Sequence, residues 1–446
     1  MKRTMSRSII SFILAAAFLL GLGLLCFRYV KDGSLWANQT YNQHLASGTG
    51  LGGAGKIYDR NGVVLAESVD SQRVYCSDYY TRVATLHCVG DDSYNIATAV
   101  QTRYRAQLSG YSAVFGYGLS ESVKSSGNIH LTIDADVCRQ VYNAFGGKKG
   151  ACIVYNYKTG DVLCMVSTPS FDPWNVPEVV EDGAYLNNAV SSTYSPGSIY
   201  KIITLAALLE SGADIENMTF TCEGEKVFGN DTVTCLENHG EMNIYQAFAW
   251  SCNIAFADAA TYAGADNMQK TSEKLGVTKS FDISGINTLS GYFDVEDANE
   301  NQLAWAGVGQ YTNMVNPTQM AILCGAIANG GVAKQPTYIN SVGSAGSVRL
   351  MSEDTAQKIQ DIMRYTITDY YGDAMFEGLS VGAKTGTAEV GEGKEPNAWM
   401  VGYSTDEDYP LAFAVVVEEG GYGFYSAGPI ARIAMIESAK SMGFEG

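Results

Sequence analysis

Apolar residues fall along this chain in three patterns, and each predicts a different environment. From Ile9 to Phe27 the sequence is uncharged and mostly apolar, close to the ~20 residues that span a bilayer. The run exceeds the apolar region of a cleaved signal peptide and does not end in a small-x-small site, so it predicts an uncleaved signal anchor within residues 1–28. Lys2, Arg3 and Arg7 before it favour an inside N-terminus, while Arg28 and Lys31 after it reduce that bias. No second run of this length follows, so everything from about Asp32 is expected to be one ectodomain on the outer side of a membrane.

The second pattern is short apolar runs bounded by turn residues. "IHLTID", the two halves of "GACIVYNYKTGDVLCMVS", and the pair "NAWMVGYS" and "LAFAVVVEEG" predict strands, the last two as a hairpin around "TDEDYP". The third is helical: "ADVCRQVYNAF", Ser198 to Ser211, Ile244 to Tyr262, Pro317 to Asn329 and "ARIAMIESAKSMG". Strands at both ends with helices between predict an α+β domain over residues 129–446, its sheet assembled from distant segments. Residues 29–128 differ. They hold a Gly/Ser-rich linker, Ala46 to Gly55, expected to be flexible, then two short strands around a turn at Arg60-Asn61-Gly62. A Tyr-rich, weakly periodic stretch completes a small mixed domain.

One predicted helix is unusual. Ser198 to Ser211 is apolar nearly all the way round, which places it in a core, yet Ser198 and Lys201 stand one turn apart at its start. Pro196 and Gly197 read as its entry and Gly212 as its cap. A lysine there has lost much of its water.

The chain has 446 residues, 46% of them hydrophobic, enough for one large core and a smaller domain. A net charge of −18 with no basic stretch longer than two residues argues against nucleic acid as the main partner. Ten cysteines are many for a reducing compartment. Cys222 and Cys235, in "CEGEKVFGNDTVTC", could close a small bridged loop; with His239 they could instead be metal ligands, one short of the usual four. Cys324 reads as a core thiol, and the pairing of Cys76 with Cys88 is left open.

Ser198-x-x-Lys201 is the only Ser-x-x-Lys in the chain. Ser251-Cys252-Asn253 follows 53 residues later, and Lys384-Thr385-Gly386-Thr387 lies further on in an extended run. Ser-x-Asn also occurs at Ser93 and Ser126, and Lys-Thr-Gly at Lys158, so order and setting must select the copies. In that order the three resemble the signature of penicillin-binding proteins and serine β-lactamases. "TYSPGSIYK", "FAWSCNIAF", "AGVGQ", "NPTQMAILCGAIANGG", "AKTGTAEV", "NAWMVGY" and "GKIYDRNGVVLA" extend the resemblance to class B penicillin-binding proteins over nearly all of the chain after the anchor. The short N-terminal domain, and Ala54 where an arginine is usual, depart from that pattern.

The resemblance implies a penicillin-binding transpeptidase fold, an antiparallel sheet with helices on both sides. Before it come a pedestal- or dimerisation-like, non-catalytic domain and the single transmembrane helix. It implies a D,D-transpeptidase of peptidoglycan stem pentapeptides, the target of β-lactams, in which Ser198 attacks the penultimate D-alanine. The residue inventory agrees: none of four histidines sits in a triad-like setting, so neutral Lys201 must act as base, its pKa lowered by burial and by Lys384. By the same resemblance Ser251 relays a proton, Asn253 holds the substrate amide and Lys201, and Lys384 with the Thr385 and Thr387 hydroxyls receives the terminal carboxylate; Gly386, also substrate-binding, lets a ligand backbone approach the strand closely. The N–H groups of Ser198 and Thr387 form the oxyanion hole. A SEDS-type glycosyltransferase is the implied membrane partner, and no metal or organic cofactor is implied. The location is the bacterial cytoplasmic membrane, N-terminus inside, catalytic domain outside. The alternatives are a β-lactamase or D,D-carboxypeptidase with water as acceptor, and a non-catalytic β-lactam sensor or scaffold.

Overall fold

The computed structural model describes residues 2–37, 51–110, 127–340 and 346–445. Its first helix, Lys2–Ala37, contains a stretch, Ile9–Tyr29, long and apolar enough to cross a membrane, with its side chains exposed. The Ala46–Gly50 half of the expected linker and residues 111–126 of the Tyr-rich stretch lie outside the described residues. The other half is not a free linker. Leu51–Gly53 forms a short helical turn, Leu51 and Ala54 are buried, and Gly55 donates to Leu108 O at 2.8 Å. Apolar side chains inside a glycine-rich run are enough to dock it.

A five-stranded antiparallel sheet organises the larger part of the chain, in the order Val381–Ala388, Asn397–Ser404, Leu411–Val417, Gly150–Asn156, Val162–Thr168. All residues of the second and third of these strands are buried, so both faces are covered. Helices Pro317–Ala328 and Gly423–Lys440 both pack on it. Val381–Ala388 is an edge strand, and the turn carrying Ser198 packs against it. A smaller sheet runs Gln72–Tyr75, Val64–Val69, Ile57–Tyr58, Ile129–His130, and its last strand comes from the start of the α+β region. Helix Tyr79–Val89 packs on helix Ala135–Phe145, joining the two regions through one continuous apolar core.

Two further expectations need correction. Ile244 to Tyr262 is not one helix: it breaks into Ile244–Ala249 and Asn253–Ala263, with Ser251 between them at φ +56°. Cys222 and Cys235 are free thiols rather than a bridged pair, as is every other cysteine among the described residues, Cys76 and Cys88 included. Cys324 is buried in the core.

Candidate active site

The serine stands on a tight entry to a buried helix. Gly197–Tyr200 is a 3-10 turn running directly into helix Lys201–Glu210. Gly197 sits at φ +53°, and a Cβ there would lie 2.4 Å from Thr387 O, so glycine is required both for the turn and for its approach to the edge strand. The Trp399 indole donates to Ser195 O at 2.9 Å and holds the segment before it. Ser198 lines an open cleft, and its hydroxyl has no hydrogen-bond partner among the described residues. Lys201, one turn on, is fully buried.

The break between the two helices carries the second motif. Cys252 caps Asn253–Ala263, its sulphur accepting from Ala255 N, and the left-handed Ser251 before it turns its own carbonyl and hydroxyl towards Lys201. Lys201 Nζ donates to Ser251 O at 2.6 Å, to Asn253 Oδ1 at 2.9 Å and to Ser251 Oγ at 3.2 Å. The expected partner, Ser198, is not among these acceptors; such contacts are often loose before substrate arrives.

The edge strand supplies the third. Lys384 is fully buried and donates to Ser251 Oγ at 3.0 Å and to Thr385 O at 3.1 Å. Ser251 Oγ therefore bridges two amines. Burial pushes the Lys201 amine down to about 8, and burial together with the charge of Lys201 drives Lys384 well below its ordinary value. Two buried ammonium groups sharing one hydroxyl disfavour double protonation. Thr385 and Thr387 line the cleft.

The tertiary structure thus brings Ser198, Lys201, Ser251, Asn253, Lys384, Thr385 and Thr387 to one place. Lys158 instead lies in a hairpin turn and donates to Asn329. Ser93 belongs to the N-terminal region, and Ser126 lies outside the described residues. Trp399 and Asn397 are buried. Glu389 and Glu392 are solvated charges, Glu389 at the cleft rim. Tyr371 was not foreseen. It lies beyond helix Glu353–Thr366, and its hydroxyl bonds that of Thr385, a contact no sequence spacing signals.

Gly386 also has a different reason from the one expected. A Cβ on it would come 2.7 Å from Pro196 O and 3.0 Å from Ile199 Cγ2, so it makes room for the serine turn rather than for ligand alone. Gly386→Ala should push that turn off the strand and slow acylation by a penicillin ~10²-fold, since ångström-scale misplacement has about that effect. An unchanged rate in stopped-flow labelling would show that the turn does not depend on this contact.

A family model for the penicillin binding protein transpeptidase domain matches residues 150–435. The peptidoglycan D,D-transpeptidase PbpA of Mycolicibacterium smegmatis is 27% identical over 363 residues, 70% of this chain and 73% of that protein. Stage V sporulation protein D of Bacillus subtilis is 29% identical over 318 residues, 65% and 49% of the two. Among solved structures, the imipenem acyl-enzyme complex of penicillin-binding protein A from M. tuberculosis superposes with a TM-score of 0.76 at 25% identity, over 87% of this chain and 98% of that one. The match runs through the whole five-stranded sheet and all three motifs meeting at the cleft, and it places this chain in the penicillin-binding protein transpeptidase family.

Proposed function

We propose that the protein is a membrane-anchored serine D,D-transpeptidase that cross-links peptidoglycan stem peptides and is acylated by β-lactams. The observation that carries this reading is the free Ser198 hydroxyl at the cleft beside the Lys201–Ser251–Lys384 chain of amine, hydroxyl and amine. Ser198 Oγ gives its proton to neutral Lys201 and forms a bond to the carbonyl carbon of the penultimate D-alanine. Ser251 passes a proton to the nitrogen of the terminal D-alanine as the C–N bond breaks. An amine from a second stem then attacks the ester, forms the cross-link and returns Ser198 to its hydroxyl form.

The remaining residues position that chemistry. An extended stem peptide pairs along the free edge of Val381–Ala388. Its carboxylate meets the Thr385 and Thr387 hydroxyls, with the charge of Lys384 behind them. Asn253 orients Lys201 and the substrate amide. The N–H groups of Ser198 and Thr387 hold the oxyanion, the first aided by the helix N-terminus. The N-terminal helix anchors the chain with its catalytic part on the outer face of the cytoplasmic membrane, and a SEDS-type glycosyltransferase supplies the glycan strands. Co-purification of such an enzyme with the full chain, and cleavage by protease added outside spheroplasts, check these two placements.

The decisive assay supplies a D-Ala-D-Ala pentapeptide with and without an acceptor amine and separates cross-linked from hydrolysed product. Cross-linked product is expected. Hydrolysed peptide alone would make the protein a carboxypeptidase, rapid destruction of penicillin a β-lactamase, and a stable adduct without peptide turnover a sensor.

A further inference from the structure

Beside the cleft, four side chains that the proposed chemistry does not use converge on one point. The ligand atoms of Cys222, Cys235, His239 and Cys252 all lie within 4.8 Å of one another. Cys235 Sγ is 3.6 Å from His239 Nδ1 and 4.0 Å from Cys252 Sγ. A tetrahedral zinc with Zn–S ~2.3 Å and Zn–N ~2.0 Å sets its sulphurs about 3.8 Å apart and sulphur to nitrogen about 3.5 Å. The observed separations are close to those edges and far from the ~2.05 Å of a disulfide. A disulfide would also leave one thiol and the imidazole without a role.

The surroundings are built for bound thiolates. Asn253 N donates to Cys235 Sγ at 3.3 Å and Ala255 N to Cys252 Sγ at 3.4 Å, charge-stabilising contacts of the kind that surround metal thiolates. His239 stacks on Trp250 with an interplanar angle of 10°, which sets the plane of its ring. Cys222 and Cys252 are buried, and Cys235 and His239 are half-buried. The fourth ligand missing from the sequence reading is Cys252, the middle residue of the Ser-x-Asn motif.

We propose that Cys222, Cys235, His239 and Cys252 form a structural zinc site that ties the strand insert of residues 220–242 to the turn presenting Ser251 and Asn253. On binding, Zn²⁺ displaces three thiol protons and takes the imidazole lone pair, forming three Zn–S bonds and one Zn–N bond with no change of oxidation state. Four protein ligands close the coordination shell, so the ion holds structure and leaves no open position for substrate. Its mechanical effect is readable in the bonds around it. Asn253 is held by Cys235 Sγ at its backbone and by Thr234 O at its side chain, 3.0 Å away, while Lys226 pairs with Asp258 at 2.7 Å across the same interface. The ion fixes the segment that keeps Ser251 in its left-handed conformation. Its effect on acylation rests on the proposed function; its presence does not.

The test is metal content of the full chain purified in detergent without chelator, by elemental analysis and native mass spectrometry. One zinc per chain is expected, with Cys222, Cys235 and Cys252 resisting alkylation until a chelator is added. After reduction and reconstitution, Co²⁺ should give the ligand-field bands of tetrahedral thiolate coordination. Cys222→Ser and His239→Ala should each lose the metal. Should a variant fail to fold, the wild-type metal count and alkylation pattern decide alone. A reduced wild-type protein that takes up no zinc, a Cys222–Cys235 disulfide in the isolated protein, or full zinc retained in both folded variants overturns the proposal. Acylation should slow at least ~10-fold on metal removal, the lower end of the effect of losing groups that orient a site. A protein that binds zinc and never reacts with penicillin would contradict the proposed function and leave the metal site standing.

Discussion

Full-length Ser198→Ala protein remains at its unmodified mass after incubation with a penicillin that converts the wild type to a one-to-one adduct. Loss should be complete rather than graded, because the adduct is an ester of Ser198 Oγ and the motif hydroxyls of Ser251 and Thr385 are already engaged. Ser251 Oγ accepts from both lysines, and Thr385 is bonded to Tyr371. Stability should change little, since Ser198 is partly exposed and its hydroxyl bonds no described residue. Intact-mass analysis beside thermal unfolding separates the two. A stoichiometric adduct on the folded variant would move the nucleophile elsewhere and remove the basis of the proposed mechanism.

Lys201→Met should carry the second-largest effect, slowing acylation ~10²–10⁴-fold, the range over which a general base contributes. Methionine keeps much of the aliphatic stem in a fully buried site while removing the amine. The pH profile discriminates a base from a packing residue. With the Lys201 amine lowered to about 8 by burial, wild-type acylation rises with pH and levels above about 8, because the reactive form is neutral. The groups facing it are Lys384, Ser251, Asn253, Cys235 and Cys252, and the ring of Phe256, so the apparent value belongs to this cluster. In Lys201→Met that rise should disappear. A variant that is slow but keeps the profile would assign the base to Lys384.

Much of the site was legible because its chemistry is written in short, fixed spacings. Ser198 and Lys201 share one helical turn, and the Lys384–Thr387 run shares one strand, so local geometry alone sets their relation. The Ser251 turn was not legible. Its flanks, rich in alanine and phenylalanine, predict an unbroken helix, and tertiary contacts override that preference: Lys201 collects the Ser251 carbonyl, and Cys252 restarts the helix as its cap. Gly386 shows the same limit, since its clash partners, Pro196 and Ile199, are far away in sequence.

By itself the sequence determined what is local: an apolar span long enough for a bilayer, the strands of the main sheet, helices such as Ala135–Phe145, Lys201–Glu210 and Pro317–Ala328, and the order of three motifs. Only the tertiary structure decided which groups meet. Lys201 and Ser251 are 50 residues apart and Ser251 and Lys384 133 apart, yet each pair is joined by a hydrogen bond. Ten cysteines likewise gave no reason to join Cys252 to Cys222, Cys235 and His239 until a helix break set its sulphur beside them. The physical reason is range. Periodicity reports the solvent on either side of one element, whereas proton transfer and metal ligation depend on separations of a few ångströms between different elements, which packing of the whole core alone sets.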